Sequence, residues 1–137
     1  MKFTRSILVV VAMALLAAAC SQGNVFELEV GQCFDSITDE LISDVPMKDC
    51  AEPHDNEVFA VYNLTEAALP SAETMTEGCF NRFEDAIGEP YATSIYGLAA
   101  ITPTNDSWDN GDREVICYGF VFDGPEKMTG SILGSGK

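Results

Sequence analysis

The stretch TMTEGCFNRFEDAIGEP, residues 74–90, decides the fold. Thr74 and Glu77 make a T-x-x-E capping signature, a pair able to satisfy two of the orphan amides that open a helix. Met75, Cys79, Phe83 and Ile87 then recur at every fourth position, which places them on one helical stripe. Gly88 supplies a left-handed stop and Pro90 forbids continuation. The pattern predicts a helix over 75–87 with one apolar face that something else must cover.

Outward from the helix, the remaining patterned segments read as strands. EVFAVYNL, residues 57–64, carries β-branched and aromatic residues on both faces and suits an inner strand. VFELEV, residues 25–30, alternates Phe26, Leu28 and Val30 against Glu27 and Glu29, the period of a half-buried strand. SIYGLAAITP, residues 94–103, and EVICYGFVF, residues 114–122, are joined by TNDSWDNGDR. Its Asn110-Gly111 turn signal predicts a hairpin with a long loop. A short last strand is predicted around Met128 to Leu133, after the turn Asp123-Gly124-Pro125, and residues 35–49 read as a polar loop. The order β, β, α, β, β, β indicates an α+β domain: an antiparallel sheet with one main helix packed across it.

Cys33, Cys50, Cys79 and Cys117 form an even set once Cys20 is set apart. Four cysteines allow three pairings. Cys33 and Cys50 close the loop between neighbouring strands, while Cys79 lies on the helix stripe and Cys117 on the apolar face of the central strand. The predicted bridges are therefore Cys33–Cys50 and Cys79–Cys117, two disulfides in a chain bound for an oxidising compartment. No C-x-x-C pair occurs, and no zinc module has these spacings, so no metal site is assigned.

The first nineteen residues differ in kind. Lys2 and Arg5 precede thirteen uninterrupted apolar residues, Ile7 to Ala19, too few for the roughly 20 that a membrane span needs. The segment reads as a signal peptide, and LLAAAC, ending at Cys20, resembles the lipobox of bacterial lipoproteins. That resemblance implies cleavage before Cys20, a lipid on its thiol, and anchoring on the extracytoplasmic face of the cell membrane. Ala17 and Ala19 also satisfy an ordinary A-x-A signal, which would leave Cys20 an odd thiol. Residues 20–24 then form a short tether, and 25–137 the domain. The 137-residue chain has 22 acids against 7 bases; removing Lys2 and Arg5 leaves 5 bases and a formal charge of −17. Nucleic acid and anionic lipid headgroups are disfavoured partners; a cationic surface or cations remain open, but the favoured reading is that the charge keeps an exported domain soluble.

Chemistry has few places to reside. His54, in CAEPHDNEV (residues 50–58), is the single histidine. A G-x-S-x-G nucleophile turn is absent, and the disulfides claim the thiols, so the expectation is no enzyme and no cofactor. A metal reading would use His54 with Asp55, Glu52 or Glu57, but an extended segment turns alternate side chains to opposite faces. The favoured reading makes Pro53 a turn and lets His54 and Asp55 bond neighbouring backbone. Asp106, Asp109 and Asp112 miss the EF-hand register, and GSILGSGK, residues 130–137, is no phosphate loop. Trp108, with Tyr91 and Tyr96, could form an exposed aromatic patch for a sugar or a protein, although aromatic residues in a domain of this size usually belong to the core; Trp108, His54 and Asp55 are the candidate binding residues.

VGQCFD, VPMKDCAEPHDNEVFAVYNL, PTNDSWDNGDREVICYGF and MTGSILGSG resemble the septum formation domain family of high-GC Gram-positive bacteria, from about Val30 to Gly136. The blocks C-x-E-P-H-D-x-E-V and S-W-x-x-G-D-R-x-V-x-C occur in order. Met47, Lys48 and Asp49 stand between VP and Cys50, where the family commonly has its cysteine at once; the first disulfide loop is lengthened. The resemblance implies an actinobacterial envelope lipoprotein, an accessory or binding module of division or wall synthesis. It implies an envelope protein or cell-wall component as partner, and no catalytic residue.

Overall fold

The computed structural model describes residues 22–24, 27–37, 44–123 and 126–137. The proposed signal segment, Cys20 and the Gly124-Pro125 turn lie outside the described residues. The strands are β1 (Gln22–Asn24), β2 (Cys33–Phe34), β3 (Asp44–Lys48), β4 (Asn56–Asn63), β5 (Tyr96–Ile101) and β6 (Glu114–Val121), with α1 (Ala72–Ile87) and a short α2 (Asn105–Asp109). They form an antiparallel sheet of five strands, β3-β2-β4-β6-β5, extended beyond β3 by the three-residue β1.

The helix buries the stripe read from its sequence, Met75, Cys79, Phe83 and Ile87. That stripe packs on Phe59, Val115, Cys117 and Tyr96 of the sheet. Phe83 meets Phe59 edge to face, with centroids 5.5 Å apart; fully burying such a ring stabilises by about 1.5–3 kcal/mol. A register shift between Val58 and Ala60 brings Phe59 and Ala60 to the helix side together. The opposite face carries a smaller core of Phe34, Val45, Val58 and Ile116 under Leu28.

Both predicted disulfides are present, Cys33–Cys50 and Cys79–Cys117. The second ties α1 to the central strand, and the first ties β2 to the turn before β4. The cap of α1 differs from expectation: Ser71, not Thr74, caps the helix and its Oγ accepts from the Thr74 amide at 3.2 Å. Glu77 therefore has no cap to close, and the helix starts at Ala72. At the other end Gly88 adopts the left-handed conformation, φ 83°, as the sequence required.

Three expected segments are corrected. Of the strand expected over 25–30, the described residues 27–30 are irregular. Gln32 donates from its backbone to the Glu29 carbonyl and accepts from the Glu29 amide through its side chain, a turn completed by Gly31 at φ 88°. Leu28 is buried, but Val30 is left 52 % exposed. The polar loop 35–49 contains β3, which pairs with β2 and receives residues 22–24, expected as tether, as β1. No strand forms over Met128–Leu133: a single bridge, Met128 to His54, is followed by Gly130 at φ 85°, and side-chain bonds replace the ladder.

Candidate functional site

CAEPHDNEV enters β4 through a tight turn. The Ala51 amide donates to the Asp49 carboxylate at 2.9 Å, and the Glu52 amide to the Asp49 carbonyl at 2.9 Å. His54 is fully buried, with Nδ1 2.8 Å from the Glu52 carbonyl. A carbonyl can only accept, so Nδ1 donates to it. Nε2 is buried and has no hydrogen-bond partner among the described residues. The backbone of His54 exchanges two bonds with Met128, at 3.0 and 2.8 Å.

Asp55, Glu57 and the Cys50 carbonyl also grip neighbours. Asp55 accepts from the Ser36 amide at 2.7 Å and pairs with Lys127 at 3.4 Å. Partial burial works against its charged form, but the Ser36 bonds and Lys127 outweigh this and hold the carboxyl below its ordinary value. Lys127 in turn sits 2.6 Å from Asp35; that hydrogen bond, followed by the nearby charges, keeps its ammonium above the ordinary lysine value. Glu57 is fully buried: Oε1 accepts from the Ser131 hydroxyl and Oε2 from the Ile132 amide, each at 2.6 Å. The Cys50 carbonyl accepts from the Gly130 amide at 2.6 Å. Together these bonds buckle residues 127–132 across the head of β4 and seat Ile132 over Gly119, where a Cβ would lie only 2.6 Å from the Ile132 methyl.

SWDNGDR builds a second internal device. Thr104 and Ser107 form a reciprocal capping box for α2. Trp108 is only 8 % exposed and belongs to the helix-side core. The Arg113 guanidinium stacks 3.6 Å from its ring and donates to its carbonyl at 2.8 Å. Gly111 turns at φ 96°, and the Asp112 carboxylate accepts from the Glu114 amide at 3.0 Å. The expected exposed aromatic patch is corrected here: Trp108 and Tyr96 are buried, because the turn folds the indole inward beneath Arg113.

Among the described residues, the donor atoms lying within 4.8 Å of one another in a metal-like group are those of Cys33, Cys50 and Glu57. Two of the three are sulfurs of one disulfide, which offer no thiolate. His54 stands apart from this group, and the structure does not bring His54, Asp55 and Trp108 into one site.

Two surface features were not legible in the sequence. One is an open groove of about 620 Å³ between α1 and the edge strand β5, lined by Glu73, Thr76, Glu77, Phe80, Tyr91 and Leu98. Phe80 is 51 % exposed and packs edge to face on Tyr91 at 5.3 Å. The other is a polar depression of about 510 Å³ bordered by Glu27, Glu29, Gln32 and Glu114. Burial first, and then the nearby Asp112, push the Glu114 carboxyl up.

No curated protein and no solved structure matches the chain. The family model described as Septum formation matches residues 10–117, taking in the whole CAEPHDNEV block and the SWDNGDREVIC block through Cys117. Since that is well over half of its length, the chain belongs to the septum formation family.

Proposed function

We propose that the chain is a lipid-anchored envelope protein whose domain acts as a non-enzymatic binding module in septum formation. Family membership supports the septal role, and the form of the N-terminal segment, ending in LLAAAC, supports the anchor at Cys20. The observation that carries the non-enzymatic reading is the use made of the reactive side chains. Asp55 and Glu57 hold the C-terminal segment, Arg113 holds Trp108, and four cysteines are in bridges. None of these is left as a free nucleophile or a paired general base.

Two experiments test the two halves. Labelling cells with an alkyne fatty acid should mark the protein and place it in the membrane fraction, with both signals lost in Cys20→Ser; an unlabelled wild-type protein would sink the anchor. Depletion should lengthen cells or misplace septa, and normal septation would sink the role in division.

One observation favours a second reading, a His54-centred metal protein or hydrolase: the buried Nε2, which has no hydrogen-bond partner among the described residues. Metal analysis of the purified chain decides it. A stoichiometric ion lost in His54→Ala would promote this reading, and metal-free protein would retire it.

A further inference from the structure

We propose that the free edge of β5 and the groove beside it bind an extended, basic segment of a partner envelope protein. The segment adds a strand to the sheet and lodges a lysine or arginine between Glu73 and Glu77. This deepens the binding-module reading and rests on it.

Among the described residues β5 ends the sheet. Proteins commonly blunt such an edge with charge, proline or a covering segment. The other end of this sheet has those features: β3 holds Asp44, Pro46 and Lys48 and is covered by β1. Among the described residues β5 has none of them: YGLAAI is uncharged, free of proline and six residues long, and no strand pairs with its outer edge.

The register shows which backbone groups are available. Phe122 donates to the Ile95 carbonyl, which makes Ile95 and Phe122 a hydrogen-bonded pair. Pairs alternate along an antiparallel ladder, so Gly97, Ala99 and Ile101 turn their N–H and C=O groups toward β6. Leu98 and Ala100 turn theirs outward. An added strand would take those groups, and its side chains on the Leu98 side would fall into the groove under α1.

The groove sets the chemistry of what enters. Leu98, Tyr91 and the half-exposed Phe80 give it an apolar floor. Glu73 and Glu77, four residues apart on one helix face, give it an anionic wall, and no basic residue lines it. A cationic side chain with an aliphatic stem satisfies both, its stem on the rings and its head at the carboxylates. The formal charge of −15 draws a basic segment in and repels anionic partners. A second copy of this chain would bring another Glu73 and Glu77 to the same place.

The test uses the purified full chain with fluorescent heptapeptides alternating valine with lysine, or valine with glutamate. The valine–lysine peptide should bind and slow hydrogen exchange at the Leu98 and Ala100 amides, and the glutamate peptide should not. Glu73→Lys with Glu77→Lys should weaken binding by roughly tenfold. Ala100→Pro blocks the edge without removing a bond to β6, and it should abolish binding while leaving the near-ultraviolet circular dichroism native. Equal binding of both peptides, binding indifferent to both variants, or no binding by natively folded protein would overturn the proposal. Self-association lost in Ala100→Pro would also overturn it, in favour of a second copy at the edge. Fatty-acid labelling and septum counts on the same variants keep the readings apart: a labelled protein required for septation that fails to bind refutes the groove alone.

Discussion

Glu57 is the most exacting point at which to test the buckle. Its carboxylate is fully buried and has two donors, the Ser131 hydroxyl and the Ile132 amide, each at 2.6 Å. Glu57→Ala strips both of their acceptor and opens a cavity. Hydrogen bonds to a charged group contribute about 1.5–3 kcal/mol each, and an orphaned buried amide costs about 1–3 kcal/mol. A loss of about 3–5 kcal/mol is expected, allowing for partial rehydration of the exposed Ser131. Glu57→Gln should be much milder. Its amide oxygen can still accept from Ile132, and its NH₂ can donate to the Ser131 oxygen, which accepts as readily as it donates. The remaining cost is the lost charge assistance, about 1 kcal/mol. Thermal unfolding with the disulfides intact reads this as a fall of about 12–20 °C for alanine and about 4 °C for glutamine. Hydrogen exchange at the Ile132 amide should accelerate in the alanine variant well beyond the effect on β6. An alanine variant within about 2 °C of wild type, or one as mild as glutamine, would refute the reasoning.

Four further predictions follow from the same contacts. Removing Cys79–Cys117, which spans 38 residues, should cost about 3.9 kcal/mol by loop entropy, against about 3.1 kcal/mol for the 17 residues of Cys33–Cys50; denaturant unfolding of the paired alanine variants gives the ranking. Trp108, the single tryptophan, should emit as a buried indole and resist iodide quenching, and Trp108→Ala should destabilise by about 3–5 kcal/mol. Asp55 is held below its ordinary 3.8, so its contribution to stability is present above that pH and disappears as the pH falls below it. Asp55→Asn should therefore be less stable than wild type at neutral pH, with the two unfolding curves converging as the pH falls below 3.8. Gly78→Ala should destabilise α1, although alanine is the better helix former by about 1 kcal/mol, because the Tyr62 ring occupies the space of the new methyl; a raised melting temperature would contradict the packing.

What was legible in the sequence depended on whether the signal was local. Met75, Cys79, Phe83 and Ile87 announce a helix because four-residue spacing is a local property. The pairing of Cys79 with Cys117 followed once both lay on apolar faces. The strand DVPMK, β3, was hidden because its proline and charges belong to a protected margin, where only Val45 is fully buried. VFELEV misled because alternation says nothing of the turn that Gln32 and Gly31 impose next to it. EPHDNEV was expected to bond neighbouring backbone, as His54 does at Glu52, but its grip on residues 127–132 was not visible, since the partners of Glu57 lie 74 and 75 residues away. Phe80 was missed for a geometric reason: it lies one residue off the buried stripe, and only the neighbouring Tyr91 and Leu98 make its position a groove.

In the two blocks that carry the family likeness, several polar groups are engaged in internal bonds. Asp55, Glu57 and the His54 backbone hold one segment, while Ser107, Asp112 and Arg113 hold another. A residue whose donors and acceptors are already engaged has little left for a partner, because recruiting it would break a bond worth about 0.5–1.5 kcal/mol before any is gained. The blocks therefore identify how the chain folds, and the interaction surface is to be sought where backbone and carboxylate groups are unspent. Of the two margins of the sheet, one is covered by β1 and studded with charge and proline. The other, β5, offers two outward-facing residues beside an anionic, aromatic groove. Leaving such an edge bare invites aggregation, and a net charge of −15 counters that by repelling other copies while admitting a basic segment. Charge and edge are thus two parts of one arrangement, and raising the salt concentration should weaken basic-peptide binding and promote self-association together.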